Sequence, residues 1–159
     1  TVVRYDLATG REAGRRALGG QTEGIALAPD GSALWIGANQ AGKVYRLDPA
    51  TLEVEAEVAS GAVPIRVAAH PDGRWVVSSN FGEGGLSVID TAVNAVGRSV
   101  SVSGDPGPQQ VTLVFSADGE RLYAAETATS TVAEVDFATG AVLRRLPSGD
   151  GGDGLAVFE

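Results

Sequence analysis

The sequence predicts an all-β protein made of repeated units of short antiparallel strands. Asp-Gly turns return at a nearly constant spacing, and the segments between them have the length and the apolar alternation of strands. No window of about eleven residues carries the apolar stripe of a helix. We therefore expect strands and turns throughout the 159 residues, and no helix.

One family of turns joins the first two strands of each unit. The sequence Pro-Asp-Gly around Asp30 returns around Asp72 and, with alanine in place of proline, around Asp118. These three aspartates are 42 and 46 residues apart. The glycine after each aspartate supplies the positive φ that a tight hairpin needs, so these turns predict antiparallel neighbours.

A second family of turns begins at four other aspartates, which are 42, 42 and 46 residues apart. They are Asp6, Asp48, Asp90 and Asp136. A catalytic group occurs once in a protein, whereas a residue that every unit needs recurs in every unit. We therefore expect these carboxylates to accept hydrogen bonds from the backbone N–H groups of their own turns.

A period of about 42 residues with four antiparallel strands is typical of the blade of a β-propeller. The sequence thus predicts that residues 1–159 form a single, partial β-propeller with about three complete four-stranded blades and one split blade. The complete blades are predicted at residues 21–58, 63–102 and 109–146, and the split blade at residues 1–18 and 150–159. Within the split blade, residues 153–158 match an innermost strand.

A split blade leaves two apolar blade faces without a neighbour, which costs roughly 25 cal/mol for each Å² of apolar surface in water. Three arrangements would cover these faces. The chain is part of a larger propeller, which we favour; or a second copy completes the ring; or the two ends of one chain complete a ring of four blades.

Composition excludes several classes of function. There are 12 Lys and Arg against 20 Asp and Glu, a formal charge of −8 that is spread along the chain, and this argues against nucleic acid or anionic lipid as a partner. The absence of cysteine excludes disulfides, thiolate nucleophiles and cysteine metal sites. No apolar run approaches the roughly 18 residues of a membrane span, so no span is expected.

One strand and the turns around it resemble a known repeat. Pro-Asp-Gly, the strand Trp-Val-Val-Ser-Ser-Asn at 75–80 and Ser-Val-Ile-Asp at 87–90 are similar to the YVTN-type β-propeller repeat of YncE-like and lactonase-like proteins. The third unit departs from it, with Glu126 where the pattern has Asn. The resemblance covers nearly the whole chain. It implies a protein exported to the periplasm or the cell surface, in most cases without established catalysis.

Ligands of propellers usually meet the mouth of the central channel, where the innermost strands begin. The register of the repeat places Glu23, Arg66, Gln110 and Asp153 there. Together they could form a polar rim that binds a small molecule, a cation or a loop of a protein partner. The alternative is that they are solvated residues at junctions between loops and strands.

The remaining chemical candidates have simpler interpretations. His70 is expected to be a solvated histidine of a Pro-Asp-Gly turn rather than a base or a metal ligand. Residues 149–154 spell G-x-G-x-x-G, but no helix follows, so a loop is expected instead of a nucleotide site. No cofactor is predicted. Ca²⁺ at the aspartates of that loop is a secondary alternative, since the spacing of a calcium loop is absent.

Three aromatic residues, Trp35, Trp75 and Tyr123, are predicted at equivalent places on the second strands, where they pack between blades.

The leading functional hypothesis is a non-catalytic binding or assembly scaffold, because no cluster of potentially catalytic residues stands outside the repeat. One alternative is a lactonase-like or lyase-like propeller enzyme whose site lies on blades absent from this chain. Another is an electron-transfer accessory of the quinoprotein amine dehydrogenase type, although the chain has no Cys-x-x-Cys-His haem motif.

Overall fold

The computed structural model describes residues 1–104 and 107–158. In these residues, fourteen strands form three antiparallel sheets of four strands and one of two. The strands are β1 Val2–Asp6, β2 Arg11–Arg16, β3 Thr22–Leu27, β4 Leu34–Ala38, β5 Lys43–Leu47, β6 Val54–Ala59, β7 Pro64–Ala69, β8 Trp75–Asn80, β9 Gly85–Asp90, β10 Ala95–Ser101, β11 Gln110–Phe115, β12 Arg121–Glu126, β13 Thr131–Asp136 and β14 Val142–Pro147.

Each large sheet is a simple meander of four consecutive strands. Blade 1 consists of β3 to β6, blade 2 of β7 to β10 and blade 3 of β11 to β14, whereas β1 and β2 pair only with each other. The innermost strands of successive blades, β3, β7 and β11, are neighbours in space. The predicted all-β fold of four-stranded propeller blades is therefore confirmed.

The recurring aspartates build the turns, as the sequence predicted. Asp48 Oδ1 accepts the backbone N–H of Ala50 at 2.8 Å and that of Thr51 at 2.7 Å. The pKa of Asp48 lies below its ordinary value chiefly because Thr51 donates hydrogen bonds to it from its backbone N–H and its hydroxyl. The other turn aspartates accept backbone N–H groups in the same way.

Apolar cores lie between the blades, since each sheet carries apolar side chains on both faces. Blade 1 packs on blade 2 through a core that includes Trp35, Val44 and Val76. Blade 2 packs on blade 3 through a second core, and the β1–β2 hairpin packs on blade 1 through a third, which includes Tyr45 and Leu47. The fold is thus a row of sheets in which each sheet buries its neighbour's face.

Arginine side chains add a polar link at each of these interfaces. In every case the guanidinium donates to the carbonyl oxygen of the residue directly after a turn aspartate of the next blade. The pairs are Arg4 with Pro49 at 3.2 Å, Arg46 with Thr91 at 3.3 Å, and Arg98 with Phe137. We call this contact the inter-blade arginine link.

Two of the three aromatic residues, Trp35 and Trp75, pack between blades as predicted, whereas Tyr123 lies half-buried on the outward face of blade 3. The predicted register is also corrected. Counted from the turn aspartates, however, Trp35 aligns with Val77 and Tyr123, and Trp75 stands two residues earlier on its strand. Both positions face the following blade because side chains two residues apart share one face of a strand.

Two details differ from the sequence expectations. Single turns of 3₁₀ helix occur at Asn39–Ala41 and Thr127–Thr129, where no helix was expected; each closes the loop between the second and third strands of its blade. Residues 153–158 form no strand and pair with none of the described strands, although an innermost strand was predicted there. Among the described residues, no helix is long and apolar enough to cross a membrane.

The close approach of the innermost strands yields a stability prediction. A Cβ atom on Gly24 of β3 would lie 2.6 Å from the Cα of Arg66 and 2.8 Å from the carbonyl oxygen of Ile65, both backbone atoms of β7. We expect Gly24→Ala to lower the free energy of unfolding by about 1–3 kcal/mol, because rigid backbone must move apart. Urea unfolding followed by circular dichroism measures this change.

Gly149→Ala is the matched control, since a Cβ at Gly149 meets no atom within 4 Å. Equal stabilities of the two variants would contradict the close packing of β3 on β7.

Candidate functional site

Three of the four residues predicted at the channel mouth do meet. Arg66, near the start of β7, lies between two carboxylates: it is hydrogen-bonded to Glu23 of β3, and its Nη2 lies 3.7 Å from Asp153 Oδ2. Thr112 of β11 donates its hydroxyl to Asp153 Oδ1 at 2.8 Å. The cluster therefore joins the starts of the innermost strands of all three blades to residue 153.

The charges of this cluster are largely satisfied within it. The hydrogen bond from Arg66 lowers the pKa of Glu23; burial opposes this effect, and a second hydrogen bond, from Asn39 Nδ2 at 2.9 Å, adds to it. A guanidinium held between two carboxylates is neither a nucleophile nor a base. What the cluster can do is anchor residue 153 to the channel mouth by ion pairing, and we call it the Arg66 cluster.

Gln110, the fourth predicted residue, does not reach the rim. Its side chain is fully buried, and its amide donates to Ser103 Oγ at 2.8 Å and to Glu126 Oε1 at 3.3 Å. The expectation that it lies among solvent-facing rim residues is therefore wrong. Its burial follows because it belongs to a polar network with Ser103, Glu126, Thr131 and Arg145 at one end of blade 3.

The centre of this network is Glu126, the residue that replaces the repeat's asparagine. It is 1% exposed, and it accepts hydrogen bonds from Arg145 Nε and from Thr131 Oγ1, each at 2.8 Å. Burial by itself raises the pKa of Glu126, but the hydrogen bonds from Arg145 and Thr131 outweigh it, so the pKa lies below its ordinary value. Arg145 is the compensating change that sequence reasoning missed, although an Asn-to-Glu exchange in a buried position signals a cation nearby.

Blade 2 has an asparagine, Asn80, at the position of Glu126. Asn80 is buried, and its amide donates to Ser87 Oγ at 2.9 Å and to Glu83 Oε1 at 2.8 Å. Its amide oxygen accepts the hydroxyl of Ser78 at 3.2 Å. These hydrogen bonds join β8 to the loop that follows it and to β9. The polar groups of this network are therefore occupied by structural contacts.

His70 is not the solvated residue that the sequence suggested. It is 8% exposed, stacked on Phe137 and edge-on to Phe115 of blade 3, with ring centroids 4.8 and 4.9 Å away. Its Nε2 lies 3.1 Å from the carbonyl oxygen of Gly119, so this nitrogen carries the proton. His70 is therefore a buried link between blades 2 and 3, and the residues that bury it lie 45 or more positions further along the chain.

A cleft of about 580 Å³ opens beside this histidine, between blades 2 and 3. Trp75, Arg98 and Phe137 line its walls, and carboxylates including Asp72 and Asp118 stand around it. Asp72 Oδ1 lies 2.7 Å from His70 Nδ1, and Asp118 accepts Ser116 Oγ at 2.6 Å. Within the described residues no three potential metal ligands among His, Cys, Asp and Glu come together.

The outward face of blade 3 is the largest departure from the repeat. It carries Val114, Tyr123, Val132 and Leu146, which are half-buried. Residues 155–157 lie over part of it and enclose a cavity of about 380 Å³ against these side chains. This part of the face is therefore apolar and only partly covered, and Arg121, Glu134 and Arg144 form ion pairs beside it.

Comparison with known proteins supports the fold. No known protein family and no curated protein matches the sequence. The structure is similar to 1025 solved chains. One is described as hydrazine synthase of Kuenenia stuttgartiensis, with 25% sequence identity and a TM-score of 0.82 over 90% of this chain. This chain spans 42% of the length of that one.

The buried ion pair of blade 3 predicts a large effect of one substitution. Arg145→Ala leaves the Glu126 carboxylate buried without its cation, and we expect a loss of about 2–3 kcal/mol in the free energy of unfolding at pH 7. The loss shrinks at low pH. The folded-state pKa of Glu126 is depressed, so the contribution of the pair is fully present above the ordinary value of 4.5 and disappears as the pH falls through the folded value.

Urea unfolding of both proteins at pH 7 and pH 3 measures these differences. The double variant Glu126→Leu with Arg145→Met is expected to recover most of the stability, because it removes both charges. An Arg145→Ala variant as stable as the parent at pH 7 would show that the pair is dispensable.

The Arg66 cluster predicts a local change. We expect Arg66→Ala to free residues 153–158 from the channel mouth, seen as lower backbone order parameters of these residues by NMR relaxation. Global stability should change by less than about 1 kcal/mol, because partly exposed ion pairs contribute little. Lys43→Ala, which removes a surface ion pair with Glu57, is the control and should leave the order parameters of residues 153–158 unchanged.

Proposed function

We propose that this chain is a non-catalytic β-propeller scaffold of the YVTN-repeat type, which assembles with a β-structured protein partner through the uncovered face of blade 3. The occupant of that face is the remainder of a larger propeller or a second copy of the chain. The proposed location, in the periplasm or at the cell surface, follows from the resemblance to exported YVTN-repeat proteins.

One observation supports this proposal. At three equivalent positions of the repeat, the side chains of blades 1 and 2 are buried against the following blade, whereas those of blade 3 are half-buried. The positions of Trp35 and Val77 in blades 1 and 2 correspond to Tyr123 in blade 3. Those two are at most 1% exposed, whereas Tyr123 is half-buried. The other two positions, held by Val132 and Leu146 in blade 3, behave in the same way.

The state of the polar clusters supports a protein partner over a small ligand at the channel mouth. The carboxylates of Glu23 and Asp153 are already bonded to Arg66, and Gln110 is buried in the network of Glu126. A ligand would have to displace these bonds. An apolar sheet face has no such competitor except residues 155–157.

Light scattering over a range of concentrations tests the proposal. We expect the mass to exceed that of one chain, 16.2 kDa, and to rise with concentration. Tyr123→Asp places a charge on the open face and should return the mass to one chain, while circular dichroism confirms that the variant is folded.

Val93→Asp is the matched control, because Val93 is an exposed apolar residue in a turn of blade 2, away from the open face. A single-chain mass at all concentrations would exclude a second copy as the occupant, and equal effects of the two substitutions would refute assembly through this face.

A further inference from the structure

Blade 3 has an arginine, Arg144, at the position of Arg98. None of the described residues supplies the carbonyl acceptor that would complete an inter-blade arginine link. Arg144 stands 46 residues after Arg98, and each is paired across its sheet with the corresponding residue of the third strand, Arg144 with Glu134 and Arg98 with Val88. Arg98 reaches the carbonyl of Phe137 in the next blade. The Arg144 side chain is 64% exposed and bonds Glu134 through Nε at 2.5 Å; its terminal amino groups bond none of the described residues.

The β1–β2 hairpin presents the complementary half of the same interface. Counting by the repeat, Val3 and Tyr5 of β1 correspond to Tyr45 and Leu47 of blade 1, which are buried against the preceding sheet. Tyr5 is 56% exposed, and Leu7, directly after the turn aspartate, is 96% exposed. Leu7 stands at the position of Phe137, so its carbonyl is an acceptor of the inter-blade kind.

A second polar link between blades also has an equivalent donor and an equivalent acceptor elsewhere in the chain, and these two are not bonded to each other. Arg145 of β14 donates to the carbonyl of Val102 in the preceding blade at 3.0 Å. By the repeat, Arg15 of β2 holds the position of Arg145, and Ser148 holds that of Val102. Arg15 is bonded to Glu12 through Nε and Nη2, which leaves its Nη1 as the donor for this link. The hairpin and blade 3 thus offer one donor and one acceptor each, at the two places where Arg98 and Arg145 link blades 2 and 3.

Resting on the proposed function, we propose that the partner is a second copy of this chain, whose β1–β2 hairpin docks on the outward face of blade 3. Arg144 then donates to the carbonyl of the partner's Leu7, and the partner's Arg15 donates to the carbonyl of Ser148. Tyr123, Val132 and Leu146 receive the apolar face of the hairpin. This contact uses different surfaces on the two copies, so it is head-to-tail.

Single-cysteine variants test the contact directly, since the chain has no cysteine of its own. A short bifunctional maleimide is added to Leu7→Cys protein, to Arg144→Cys protein and to their equimolar mixture. We expect a crosslinked dimer in the mixture and little in either protein alone, because a head-to-tail contact joins residue 7 of one copy to residue 144 of the other.

Val93→Cys replaces Leu7→Cys in the control mixture, which should give no dimer. A mixture of Leu7→Cys and Arg144→Cys that gives no more dimer than this control would overturn the proposed contact.

A second measurement uses the native arginine. Arg144→Ala removes one hydrogen bond from a charged donor, and we expect the dissociation constant measured by light scattering to rise about tenfold. Arg74→Ala is the control, because Arg74 is equally exposed and lies in a turn of blade 2 outside the contact. Assembly that responds to Tyr123→Asp but not to Arg144→Ala, with no crosslink, would refute the hairpin while leaving the scaffold proposal intact. A single-chain mass throughout would refute a second copy as the partner, and with it the hairpin contact.

Discussion

Every sheet in this protein is apolar on both faces, and the need to cover both is the constraint on which the rest of the structure depends. In blade 2, Val76 and Ile89 face one neighbour while Val77 and Val88 face the other. Each blade is therefore stabilised by the blades on either side of it, as in other repeat architectures. The arginine links also fix the relative position of adjacent blades, because a shift of one blade along the next would separate the guanidinium from its carbonyl acceptor.

The same constraint moves polar groups to the ends of the strands. The middle of each blade is filled by aliphatic side chains, whereas the turn aspartates lie at one end and the networks of Asn80 and Glu126 at the other. Buried polar groups are tolerated there because most of them have partners within their own blade or the next. Blade 2 has Asn80 and Ser99 at the positions where blade 3 has Glu126 and Arg145, so the charged glutamate occurs together with an arginine that pairs with it.

Local features could be predicted from the sequence, and features made by distant residues could not. The turns at Asp30 and Asp48 follow from a few adjacent residues, and with them come the strand boundaries and the blades. The burial of His70 and Gln110 depends on side chains contributed by other strands and loops, which a pattern of neighbouring residues does not reveal. Residues 153–158 have the composition of a strand, but a strand also needs a hydrogen-bonding partner along its edge.

The contact around His70 gives the blades individual identities. Between blades 1 and 2 the corresponding position is Ala28, whereas between blades 2 and 3 the imidazole fills a pocket made by Phe115 and Phe137 and bonds a carbonyl of Gly119. Blades with interchangeable edges could be permuted or duplicated without penalty. The order of blades 2 and 3 cannot be changed in this way, because His70 would then face a blade without the pocket that receives its imidazole. The interfaces between blades therefore fix the order of the units.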